Sequence, residues 1–226
     1  MNIKENLNRI KAELPPHVRL LAVSKTHPAE MLQEAYNAGQ RMFGENKVQE
    51  MTAKSAILPK DIEWHFIGHV QKNKIRIMAP YVSVIQGIDS IEALAEVNRQ
   101  ADRFGRNITC YLQIHIAQEE TKFGFSMDEC TAMLEAGQWR EFQNITIGGL
   151  MGMASNTPDR DQVNSEFTAL KEYFELLKTR YFADSPEFNT ISAGMSGDYA
   201  IAMECGSNLV RIGSSIFGER DYSNTK

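Results

Sequence analysis

The sequence predicts an α/β fold of the (β/α)8 type, a TIM barrel forming a single domain with an extra N-terminal helix. Three observations carry that expectation. Short apolar runs alternate with helix-period segments along the chain, eight such runs can be counted, and no linker or low-complexity tract divides the 226 residues. Strands alternating with helices imply parallel pairing through helical crossovers. Eight of them favour closure over an open doubly wound sheet, and no GxGxxG turn follows the first strand as a dinucleotide fold would require.

The elements follow in order. Ile3, Leu7, Ile10 and Leu14 recur at helical spacing until Pro15-Pro16 stops them. Strands are expected at 19–24, 41–43, 63–67, 82–86, 108–116, 145–151, 188–192 and 208–212. Helices are expected between them at 28–38, 46–57, 71–78, 90–104, 126–137, 160–180 and 197–205. Pro28 suits a first helical position and Gly39 a helix stop, while Asp89-Ser90 and Asn156-Thr157-Pro158-Asp159 read as helix entries. In the helix at 90–104, Ile91, Leu94, Ala95 and Val97 form one broad apolar face.

Composition narrows the function classes. A formal charge of −5 lacks the basic excess expected of a nucleic-acid binder. No apolar stretch approaches the roughly 20 residues that span a bilayer, and the charged N-terminus does not read as a secretory signal. Cys110, Cys130 and Cys205 are scattered without CxxC spacing, which points to a reducing, cytoplasmic setting rather than to disulfides or a metal site. His65 and His69 flank a strand end and lack an accompanying carboxylate triad, so they read as core or rim residues, with no metal expected.

In a barrel of this kind, function gathers at the C-terminal ends of the strands. Lys25 closes the first apolar run and is followed by Thr26-His27-Pro28, which sets a primary amine at that rim. A lysine desolvated there becomes a nucleophile toward carbonyl carbon. Ser192-Ala193-Gly194-Met195-Ser196-Gly197-Asp198 and Gly213-Ser214-Ser215 are small turns ahead of helices, suited to an anion or, more simply, to capping with Ser196 as N-cap. Phosphate sites in barrels favour the loops after strands seven and eight, where these two turns fall. Arg211 shares the side of its strand with Gly213, so it faces the barrel mouth and needs a ligand or a carboxylate such as Glu204 or Asp89. Asn46 follows Phe43-Gly44-Glu45 and is either a rim residue or a helix N-cap. Lys72, Lys74 and Arg76 read as a solvated face, with Lys74 able to reach a rim anion. Residues 119–124 read as a candidate lid, and Met151, Met153, Met195 and Met203 as core filler. An amine and a phosphate cradle on one rim suit a phosphorylated aldehyde held as a Schiff base. They also suit an aldolase-type lysine acting on a phosphosugar.

Ala22-Val23-Ser24-Lys25, Phe43-Gly44-Glu45-Asn46, His65-Phe66-Ile67-Gly68, Gly194-Met195-Ser196 and Val210-Arg211-Ile212-Gly213 with Ile216-Phe217-Gly218 together resemble the pyridoxal phosphate homeostasis proteins, over residues 20–222. That family looks like the barrel of alanine racemase without its β-rich second domain. The resemblance implies that Lys25 carries pyridoxal 5′-phosphate (PLP) as a Schiff base and that Ser196, Gly213 and Ser214 bind its phosphate. It also implies that Arg211 faces the pyridine nitrogen and that Asn46 lies near the ring. An arginine stays protonated, so the ring nitrogen beside it remains unprotonated and a poor electron sink.

The chain departs from the racemase pattern at Ala29, where the racemase has a phosphate-binding tyrosine, and in having only Gly218 to Lys226 after the barrel. A racemase needs a second base opposite its lysine, which Tyr199 or Tyr222 would have to supply. The resemblance therefore implies a monomeric, non-catalytic carrier that holds PLP and releases it to apo PLP-dependent enzymes, with weak racemase activity as the alternative.

Overall fold

In the computed structural model, which describes residues 2–119 and 123–219, eight parallel strands close into a barrel in chain order. They are β1 (Arg19–Val23), β2 (Met42–Glu45), β3 (Glu63–Phe66), β4 (Val84–Ile88), β5 (Ile108–Ile114), β6 (Ile145–Gly152), β7 (Thr190–Ser192) and β8 (Leu209–Ile212), with β8 returning to pair with β1. The helices are α1 (Ile3–Glu13), α2 (Ala29–Asn37), α3 (Val48–Ile57), α4 (Lys72–Met78), α5 (Ile91–Arg103), α6 (Met127–Ala136), α7 (Arg160–Tyr181), α8 (Tyr199–Glu204) and α9 (Ser214–Phe217). Among the described residues no helix is long and apolar enough to cross a membrane.

The two-residue period of each strand divides its side chains between two cores. Leu20 and Ala22 of β1 point outward into the large layer shared with the helices, whereas Leu21 joins Val84, Tyr111, Met151 and Leu209 inside the barrel. Local chemistry sets the helix ends. Ser90 Oγ accepts from Ala93 N at the start of α5, Ser126 and Glu129 form a reciprocal capping box on α6, and Asp159 accepts from Asp161 and Gln162 on α7. The N-terminal α1 buries Ile3, Leu7 and Ile10 and is tied to α9 by Asn6 Nδ2 donating to Ile216 O at 3.0 Å.

The boundaries differ from the expected ones at a few joints. Pro28 is the N-cap of α2 rather than its first helical residue, and α3 starts at Val48 with Lys47 as N-cap, so Asn46 is not a cap. The helix expected at 197–205 is shorter, Tyr199–Glu204, and its N-cap is Asp198 rather than Ser196. The short α9 and a 3-10 turn at Gln138–Glu141 had no counterpart in the expected elements, because a single turn carries too little periodicity to register.

One chain of polar side chains crosses the interior. Arg211 Nη1 donates to Ser192 Oγ (2.9 Å), and Ser192 Oγ donates to Gln86 Oε1 (2.6 Å). Gln86 Nε2 then donates to His65 Nδ1 (2.8 Å), and His65 Nε2 donates to Glu63 Oε1 (3.1 Å). Burial holds His65 below the ordinary imidazole pKa, which agrees with a neutral ring accepting at Nδ1. The donors all run in one direction, so each buried partner is satisfied in turn.

Candidate functional site

Lys25 lies two residues past the end of β1, on the inward parity already taken by Leu21 and Val23. It lines a cavity of about 290 Å³ at the C-terminal mouth of the barrel, together with Asn46, Ser196, Arg211, Gly213 and Ser214. Pairing of Ala22 with Ile212 sets Gly213 beside Val23. A Cβ on Gly213 would sit 2.9 Å from Val23 O, so a side chain there would force the two strand ends apart.

The two closing turns present donors. Gly194 has φ +91°, and a Cβ on it would meet Ala202 Cβ at 2.7 Å, so only glycine lets this turn fold tightly onto α8. Asp198 Oδ1 accepts from Met195 N at 2.6 Å, which fixes the loop carrying Ser196 and Gly197. Across from it, Ser214 and Ser215 open α9, where the first amides have no acceptor within the helix. The hydroxyls of Ser196 and Ser214 donate to no protein acceptor among the described residues, which leaves a rim of O–H and N–H groups suited to an anion.

Arg211 is 3% exposed and makes no carboxylate ion pair among the described residues. Nη1 donates to Ser192 O (2.6 Å) and Ser192 Oγ, and Nη2 donates to Gly152 O (2.9 Å). Three of the five guanidinium hydrogens are thereby used, and two remain for a ligand acceptor. Burial pulls the Arg211 pKa down to about 10, partly countered by Asp198, so it stays a cation at neutral pH. The expected carboxylate partners Glu204 and Asp89 are replaced by neutral carbonyls, which hold the guanidinium without cancelling its charge.

Comparison with known proteins fits this geometry. Residues 1–221 match the family described as alanine racemase, N-terminal domain. A pyridoxal phosphate homeostasis protein of Vibrio alginolyticus is 36% identical over 237 residues, covering 98% of this chain and 99% of that one. The chain belongs to the pyridoxal phosphate homeostasis protein family. The human family member is 40% identical over 98% of this chain and 84% of its own. PipY of Synechococcus elongatus PCC7942, solved with PLP bound, superposes with a TM-score of 0.86 at 34% identity, covering 96% of this chain and all of PipY.

For this member of the family, the six residues singled out in the sequence meet at one cavity, and several neighbours were missed. Val23, Ile67, Gly68 and Gly197 also line it. So do Met151, Met153 and Met195; Met151 is nonetheless buried in the interior core with Met153 packed on it, and Met203 packs on the outer core, as expected of filler, whereas Met195 is exposed and is not core. The legible signal was position, since Met151 and Met153 alternate inward at the end of β6. A Cβ on Gly68 would overlap the Asn46 carbonyl, so this glycine lets the β2 and β3 ends approach. Lys74 does not line the cavity. His69 stacks on Phe123 at the rim and pairs with Asp89 at 3.3 Å, whereas His65 belongs to the interior chain. Tyr199 is turned away, its hydroxyl donating to Glu13 Oε2 of α1 at 2.5 Å. Of the candidate lid at 119–124, residues 120–122 lie outside the described residues, as does Tyr222.

Proposed function

We propose that this protein holds PLP as a Schiff base on Lys25 and buffers it, releasing the aldehyde to apo PLP-dependent enzymes. The observation that carries the reading is the convergence of an amine, an anion cradle and a buried guanidinium on one cavity. Attack of the Lys25 amine on the aldehyde carbon and loss of one water would form a C=N bond, which water reverses on release. The residues present fit the ligand. Ser196, Gly213 and Ser214 would hold the phosphate oxygens, Arg211 would donate to the pyridine nitrogen, and Asn46 would flank the ring. A permanent cation at that nitrogen keeps it unprotonated, which disfavours carbanion chemistry and favours storage.

The position of Tyr199 supports a carrier over a racemase, because its hydroxyl is bonded to Glu13 rather than set across the cavity from Lys25. Cys110, Cys130 and Cys205 are free thiols, which supports work in a reducing cytoplasm.

The test is an absorbance spectrum of the PLP-loaded protein with borohydride trapping and peptide mapping, repeated for Lys25→Ala. The expected result is a trapped adduct on Lys25 that disappears in the variant; an adduct mapped elsewhere rejects the reading. Exchange of the α-proton of L-alanine into deuterated water, at a rate no greater than with free PLP, is expected as well. Faster exchange would restore the racemase alternative.

A further inference from the structure

Both peptide units flanking Lys25 are gripped by one buried charge cluster on β2 and α3. Lys54 Nζ donates to Ser24 O at 2.9 Å, and to Glu45 Oε1 and Glu50 Oε1, each at 2.7 Å. Ser24 Oγ donates to Glu45 Oε1 at 2.7 Å. On the other side of Lys25, the N–H of Thr26 donates to Glu50 Oε1 at 2.6 Å. Glu45 is 0% and Lys54 6% exposed, so these charges are held deep behind the rim.

The turn they grip is strained. Thr26 has φ +70°, the only positive φ at a non-glycine position among the described residues. A β-branched residue in that region is strained and persists only where its surroundings impose it. The Glu50 bond to Thr26 N is such an imposition. Holding Glu45 and Lys54 away from water is expensive, and such a cluster is weak grounds for stability alone. Its contacts are instead concentrated on the residues immediately before and after the cavity lysine.

We propose that Glu45, Lys54 and Glu50 are positioning residues that clamp the Ser24–Thr26 turn and so aim the Lys25 amine into the cavity. The clamp touches none of the anion-facing residues. Its effect therefore falls on covalent capture of an aldehyde and spares non-covalent docking of the phosphate and ring. This rests on the reading of Lys25 as the aldehyde acceptor.

The test compares two ligands on the full-length protein: PLP, which carries the aldehyde, and pyridoxine 5′-phosphate, which has an alcohol in its place and cannot form an imine. Glu50→Ala removes the acceptor for Thr26 N and keeps a strong helix former in α3. It is expected to slow imine formation and weaken PLP binding about tenfold, while pyridoxine 5′-phosphate stays within about twofold of wild type. Glu50→Gln keeps an oxygen facing Thr26 N and is expected to restore most of the capture rate. Should Glu50→Ala fail to fold, Ser24→Ala, which deletes the hydroxyl's bond to Glu45 Oε1 and its long 3.5 Å contact with Gly44 O, is read in the same way with a loss of about threefold. Equal losses for both ligands would reduce the cluster to a structural role and overturn the proposal, as would unchanged PLP capture. Wild-type protein that traps no adduct on Lys25 would instead overturn the function on which the clamp depends.

Discussion

Ser192→Ala tests whether the interior polar chain is continuous. Ser192 Oγ accepts from Arg211 Nη1 at 2.9 Å and donates to Gln86 Oε1 at 2.6 Å, and Gln86 is 0% exposed. Removing the hydroxyl strips a donor from Gln86 and an acceptor from Arg211 at a place water does not reach. Each orphaned buried group costs about 1–3 kcal/mol. Arg211 keeps its bonds to Ser192 O and Gly152 O, so the guanidinium stays in place and the summed loss is expected near 2–4 kcal/mol. At about 2–4 °C per kcal/mol for a chain of this size, Tm should fall by roughly 5–15 °C. Urea unfolding of Ser192→Ala, Gln86→Met and the double variant checks this, because removing both ends of one contact costs less than the sum of the singles. A coupling of about 1–2 kcal/mol is expected. Additive singles, or a Ser192→Ala loss below about 0.5 kcal/mol, would show that the chain does not act as a unit.

Three further outcomes follow from the same geometry. Burial pushes Glu45 up from 4.5 to about 7 against the pull of Lys54, with Ser24 on the same oxygen and Glu50 nearby, so the folded protein binds a proton that the unfolded chain gives up. The stability this confers is complete below pH 4.5 and is lost as pH rises through about 7. The stability difference between wild type and Glu45→Gln should therefore decline over that window by up to about 3 kcal/mol, and a flat difference in parallel urea titrations refutes it. Gly213→Val would bring a side chain against Val23 O and fill the cradle, so PLP affinity should drop by more than about tenfold in a fluorescence titration. Unchanged affinity would remove Gly213 from the site. Tyr199→Phe should leave PLP affinity within about twofold and cost about 0.5–1 kcal/mol through the lost bond to Glu13, and a large loss of affinity would contradict the outward setting of that ring.

The alternation of apolar runs with helical segments was enough to specify eight parallel strands and their closure, because strand period and crossover length are local properties that the chain order turns into topology. The same logic exposed Lys25, Asn46, Ser196, Arg211, Gly213 and Ser214, since a barrel brings every strand's C-terminal end to one rim whatever the side chains do. Tertiary structure alone decided which polar groups meet. Ser192 reaches Gln86 across 106 residues of chain, Lys54 reaches back 30 residues to Ser24 O, and Tyr199 finds Glu13 rather than the cavity. Such partners depend on the angle at which each strand and helix docks, a quantity set by packing of the whole barrel and absent from any local pattern of residues.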